Sequence, residues 1–245
     1  MIFNITPTRN FNVLYIILDS IFILVFLVLL IVKKRYMTTI FALFGGILYF
    51  LVDYGYFYLL SHSRQVLIQG VVQNSTMTGW ILFWMSMSYG ITNFAFIWLC
   101  LRKDKDLKNW LMLIVGWWLI VPLIATLGKE NTIQTFRTTN QYHSYMAIVL
   151  GVGYGGLLIY NLLTKKKQIS LLWLNFIGIM VQFSWEFSLL LHGIRPLNEN
   201  SLSTLLVNSF LETNLGMPYI FLIFMFVNRF RNEDLTKVNT NEMLS

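Results

Sequence analysis

The chain has 245 residues, of which 56% are hydrophobic and 12% charged, with a net charge of +7. Water-soluble domains carry about 25% charged residues, so the composition excludes one, and the single Cys100 excludes an internal disulfide framework or a cysteine metal cluster. The basic residues sit in short connections beside apolar blocks, which reads as a topology signal rather than a nucleic-acid interface.

The apolar residues come in blocks of about 20, the span of a bilayer core. They predict an all-α integral membrane domain over 1–231 with seven helices, at about 11–32, 37–60, 79–101, 109–127, 145–163, 169–192 and 205–228, and a polar tail at 232–245. The first block is too long for a signal-peptide core and lacks a cleavage site after it, so it counts as a helix. It carries Asp19, expected to be peripheral and to hydrogen-bond a neighbouring helix. The second holds Asp53, with Tyr49 a turn before and Tyr56 and Phe57 a turn after. The third offers Ser86, Tyr89 and Asn93 at helical spacing, with Trp80 and Trp84 nearer its start. Trp110 and Trp117 lie in the fourth. Gly151, Gly153, Gly155 and Gly156 in the fifth, like Gly45 and Gly46 in the second, are expected to let helices approach closely. The sixth places Asn175, Gln182 and Glu186 on one face, with Trp185 beside them. In the seventh, Asn208, Glu212 and Tyr219 share a face, and Gly216 and Pro218 interrupt the helical ladder.

Thirteen basic residues fall in alternate connections and the C-terminus: Lys33, Lys34 and Arg35; Arg102, Lys103, Lys105 and Lys108; Lys165, Lys166 and Lys167; Arg229, Arg231 and Lys237. The opposite set holds five, Arg9, Arg64, Lys129, Arg137 and Arg195. The positive-inside rule therefore puts the N-terminus outside and the C-terminal tail in the cytoplasm of a multi-pass cell-membrane protein. The longer polar connections, 61–78 and 128–144, then lie outside.

An acid costs roughly 3 kcal/mol in the middle of a membrane helix by insertion scales, so those that persist there face a protein interior and mark sites. At 1.5 Å per residue, Asp19, Asp53, Glu186 and Glu212 all fall in the outer half. They predict a cavity there with a polar floor (Asn93, Gln182, Asn208) and an aromatic wall (Tyr49, Tyr56, Trp80, Trp84, Tyr89, Trp117, Trp185). The plainer reading of the same polar residues is interhelical hydrogen bonding, and of tryptophans near helix ends an interfacial belt. His62, His143 and His192 lie near outer helix ends, but no two share the i, i+4 spacing of a helical metal site, and no metal or cofactor is expected. No lysine lies between 205 and 228, which excludes a retinal Schiff base in that helix.

Two stretches, LYFLVDYGYFYLLSHSRQV and FLETNLGMPYIFLIFMFVNRFR, resemble the small seven-helix membrane terpene cyclases of fungal meroterpenoid pathways and their bacterial relatives, whose Trp-Glu pair of the second helix stands here in the sixth, as Trp185-Glu186. That family has an acid in an aromatic second helix and another early in a seventh helix that ends in basic residues. The pattern departs from it in two places: Asp53 follows Val52 where the family has Glu after Trp, and Glu212 stands where it has Asp. The resemblance implies that Asp53 donates a proton to an epoxide or alkene of an isoprenoid lipid, that Glu212 is its partner and that Glu186 is an auxiliary acid. A carboxyl desolvated among apolar groups can hold that proton, and aromatic faces stabilise the resulting carbocation. A proton-coupled transporter with a broken seventh helix and a non-enzymatic membrane sensor or structural protein are the alternatives. The expected partners are an isoprenoid or other lipid and the membrane itself.

Overall fold

The structure, a computed structural model, describes residues 7–128, 130, 132–137, 143–164, 170–199 and 201–230. The expected cytoplasmic tail and the basic residues Lys129, Lys165, Lys166, Lys167, Arg231 and Lys237 lie outside the described residues. Eight helices are described: α1 Val13–Val32, α2 Tyr36–Leu60, α3 Ser75–Leu101, α4 Leu107–Ala125, α5 His143–Leu163, α6 Leu171–Leu191, α7 Ser201–Leu211 and α8 Met217–Phe230. The first six are long and apolar enough to cross a membrane, which makes this a helical protein of the multi-pass membrane type.

Side-chain caps account for several helix starts. Asn12 accepts a hydrogen bond from the Tyr15 amide at 2.9 Å and donates to the Ala125 carbonyl at 2.9 Å, so one residue both caps α1 and pins it to the end of α4. Asn74 accepts from the Met77 amide at 2.9 Å, which starts α3 four residues before the expected position 79. Ser170 caps α6 in the same way.

α3 is the axial helix, in contact with α1, α2, α4, α6 and α8, and every residue from Gly90 to Leu101 is buried. Its closest neighbour is α2. A Cβ on Gly90 would lie 2.6 Å from the Gly46 Cα, so the two backbones meet at a point that only glycine allows. The glycines of α5 behave otherwise: Gly153 packs on Pro218, while Gly151, Gly155 and Gly156 face open space, because α5 lies at the periphery with Leu157 its one buried residue.

Two departures from an all-α seven-helix bundle matter for the site. The connections at one end of the bundle form a four-stranded antiparallel sheet, in the order β1-β4-β2-β3, from β1 Arg9–Phe11, β2 Arg64–Ile68, β3 Val71–Val72 and β4 Ile133–Arg137. The β2–β3 hairpin turns through Gln69 and Gly70, both at positive φ (50° and 77°), as a two-residue hairpin loop requires. Alternation sends Arg64 and Val66 of β2, and Ile133 and Thr135 of β4, to the buried side, and the Asn10 amide donates to the Ile194 carbonyl at 2.7 Å, tying in the α6–α7 connection. Pairing between segments so far apart in sequence leaves no local periodicity to read. The second departure is the seventh segment, which is two helices, α7 and α8, of 11 and 14 residues, separated by a turn at 212–216.

The α2–α3 contact has a measurable consequence. Gly90→Ala should lower stability by about 1–3 kcal/mol through overpacking against backbone that cannot yield, read as a fall in the thermal unfolding midpoint of the detergent-solubilised protein. Gly151→Ala, in open space, should leave that midpoint unchanged.

Candidate functional site

Beneath the sheet, the bundle encloses a cavity of about 480 Å³ lined from every helix but α4 and α5's far end, with β1, β2's Arg64 and β4 as its cover. Apolar and aromatic side chains dominate its walls, and the floor at the sheet end is ionic. Asp53, Glu186 and Glu212 all reach this cavity, from α2, α6 and the turn after α7.

Each carboxylate meets an arginine. Asp53 Oδ1 accepts from Arg64 Nη2 at 2.8 Å and Nε at 3.2 Å, and its Oδ2 accepts from the Tyr89 hydroxyl. Glu186 is clamped on both oxygens, by Arg9 Nη2 at 2.6 Å and by Arg195. Glu212 accepts from Arg137 on Oε1 and from Gln182 Nε2 at 3.0 Å on Oε2, while Gln182 Oε1 accepts from the Thr213 hydroxyl at 2.7 Å. Arg64 also lies over the Phe57 ring, 4.3 Å from its centroid. At Arg137, burial would favour loss of the proton, but Glu212, then Asp53, Tyr89 and Glu186 outweigh it and hold the pKa above the ordinary guanidinium value.

The four arginines are the residues that sequence reasoning missed. A signal was present: Arg9, Arg64, Arg137 and Arg195 are four of the five basic residues assigned to the sparsely charged side. Their segments place them. Arg64 and Arg137 stand directly opposite each other in the β2–β4 register, Arg9 pairs with Thr135 two residues along β4, and Arg195 follows the end of α6. Like charges directly opposite on neighbouring strands destabilise a sheet, so the carboxylates rising from the helices are what allow this register.

Most of the remaining expected residues reach the cavity. Tyr49, Trp84, Tyr89, Asn93, Gln182, Trp185 and Asn208 line it, as does Tyr219, and the Tyr49 and Tyr89 rings sit 5.1 Å apart. Tyr56 does not: it is 47% exposed and turned away. From Leu51 onward α2 is a π-helix, with the Ser61 amide donating to the Tyr56 carbonyl five residues back, and the wider turn brings Phe57 rather than Tyr56 into line with Asp53. Trp80 is exposed beside Phe83, and Trp117 stacks on Phe22 between α1 and α4. Ser86 is buried outside the lining, and Ser88 takes its place there; Asn175 faces Tyr154 instead of the cavity. Asp19 lies outside the cavity lining, as expected, buried and hydrogen-bonded to Ser88 and Trp84 of the neighbouring α3.

Phe44, Leu48 and Val52 of α2 and Tyr219 and Ile223 of α8 line the cavity and are each between 37% and 50% exposed, so part of its wall is made of accessible apolar and aromatic side chains. Among the described residues no group of three or more His, Cys, Asp or Glu side chains is arranged to hold a metal ion.

No family model matches the chain. No curated protein and no solved structure matches it either.

The doubly clamped Glu186 should be the most sensitive of the three acids for folding. Glu186→Gln leaves Arg9 and Arg195 side by side without a counter-charge and should cost about 3–5 kcal/mol, the usual penalty for breaking a buried pair on one side. Thermal unfolding in detergent measures the loss, and limited proteolysis should show the N-terminal strand released first.

Proposed function

We propose that the chain is a membrane-embedded enzyme that cyclises or isomerises an isoprenoid-type lipid by proton transfer. The observation that carries this reading is the joining of accessible apolar side chains on α2 and α8, an aromatic wall and a carboxylate floor in one cavity. A lipid enters between α2 and α8 without crossing water. Its apolar chain packs on Tyr49, Trp84, Tyr89 and Trp185, whose ring faces stabilise a developing carbocation, and its reacting end meets the floor.

The partners of the three acids divide their roles. Glu186 has two arginines, so a proton placed on it would strand two cations; it holds β1 and the α6–α7 connection in place. Asp53 and Glu212 each have one arginine and one neutral partner, Tyr89 and Gln182. When Asp53 takes up a proton, Arg64 keeps the Phe57 face as a second seat. Asp53 is therefore the donor, with Tyr89 beside it to relay the proton, and Glu212 is the group that receives the final proton or restores Asp53.

The reading includes an orientation. With α7 and α8 together as an interrupted seventh span, the sheet end lies outside and the opposite end in the cytoplasm of a cell-membrane protein. The exposed Lys33, Lys34, Lys103, Lys105 and Lys108 all sit at that opposite end, whereas the arginines at the sheet end turn inward. The break at Glu212 favours a second reading, a proton-coupled carrier, in which an interrupted helix presents the coupling acid.

Conversion of an epoxidised prenyl substrate in membranes separates the two. Asp53→Asn and Glu212→Gln should each lower turnover by at least ~100-fold, the usual worth of a general acid or base. Full cyclisation by both variants would remove the acid assignment, and proton-driven uptake with no conversion by the wild type would establish the carrier. For orientation, in a Cys100→Ser background, Glu130→Cys should react with an impermeant thiol reagent on intact cells and Lys34→Cys should not; the reverse pattern inverts the topology.

A further inference from the structure

Four arginines and three carboxylates line the cavity: Arg9, Arg64, Arg137 and Arg195 against Asp53, Glu186 and Glu212. Guanidinium groups do not release their protons in proteins, so the floor carries an excess of at least one positive charge, and protonation of any of the acids only enlarges it. The excess is felt locally: burial lowers the Arg9 pKa, Glu186 opposes that, and Arg195 and Arg137 lower it further.

Among the described residues no further acid lines the cavity. Of the remaining acids at the sheet end, Glu130 and Glu199 are exposed and outside the lining. Asp19 lies behind the wall, outside the lining, against Ser88 and Trp84 of α3. Before residue 231, the residues outside the described ones, 1–6, Lys129, Asn131, 138–142, 165–169 and Asn200, contain no acid. An unbalanced charge in an apolar surrounding is costly and calls for a counter-ion.

Resting on the reading of this cavity as a lipid site, we infer that its ligand is an amphipath with a single anionic head group, a carboxylate or a monophosphate, seated at Arg137. Arg137 is central to the floor, feeling all three carboxylates, and its side chain is 30% exposed against 6–14% for the other three arginines. It is therefore the guanidinium that an incoming head group reaches.

The test is photocrosslinking of the full-length protein in nanodiscs of zwitterionic lipid. The probes are a long-chain fatty acid bearing a diazirine, the primary alcohol of the same chain, and its monoalkyl phosphate; the readout is saturable adduct on the peptides carrying Trp84 and Gln182. At least one anionic probe should label about tenfold more than the alcohol or better, given the strength of close charge pairs, and the stronger of the two tells carboxylate from phosphate. Arg137→Gln should bring anionic labelling down to the level of the alcohol, whereas Glu212→Gln, which adds one to the excess, should raise it. Unfolding cannot produce opposite signs. If Arg137→Gln loses alcohol labelling as well, the Glu212→Gln arm decides, and absence of a rise there overturns the inference. Equal labelling by acid, phosphate and alcohol overturns it while leaving the lipid-enzyme reading intact; no saturable labelling by any probe overturns both.

Discussion

The layer of arginine–carboxylate pairs between sheet and bundle is the constraint on which the rest of this structure depends. Neither half is favourable alone. Three carboxylates, on α2, α6 and the turn after α7, would face the cost of burying charge without a partner, and two arginines directly opposite on β2 and β4 would repel each other across the sheet. Joined, each offsets the other. A sheet whose longest strands have five residues, and whose edge strand β3 has two, holds at the end of the bundle because its inward side chains end on helix-borne acids.

The same layer shapes the cavity. Because the charged groups are gathered at one end, the remaining walls are left to aromatic and aliphatic side chains. The result is a cavity with apolar walls and a few convergent polar groups, as small-molecule sites commonly have. It also gives the acids different surroundings: Glu186, between two cations, ties β1 to α6, whereas Asp53 and Glu212 have one arginine each and a neutral neighbour, Tyr89 and Gln182.

Local backbone irregularities adjust the floor. The π-helical end of α2 rotates Phe57 under Arg64 and turns Tyr56 outward. The turn at 212–216 lets Glu212 leave the α7 axis and meet both Arg137 and Gln182. Both irregularities fall at residues that touch the cavity, where functional sites commonly place them.

Hydrophobic blocks as long as a bilayer is thick were enough, in the sequence, to define a multi-pass helical protein, because block length and burial of the backbone in helices follow from the membrane itself. Depth along each block was also legible, and it brought Asp53, Glu186 and Glu212 to one level, with Gly216 and Pro218 marking the broken seventh segment. The tertiary structure decided what those acids face. The sheet is built from β1, β2 and β4, which are separated by up to 128 residues in the chain, and pairing over that distance has no local pattern to read. Arg9, Arg64, Arg137 and Arg195 looked like four exceptions to a charge bias in separate loops; only the register of the strands and the end of α6 made them one counter-charge layer. The outward turn of Tyr56 was equally invisible, because helical spacing assumes 3.6 residues per turn, whereas from Leu51 α2 follows the wider i to i+5 pattern.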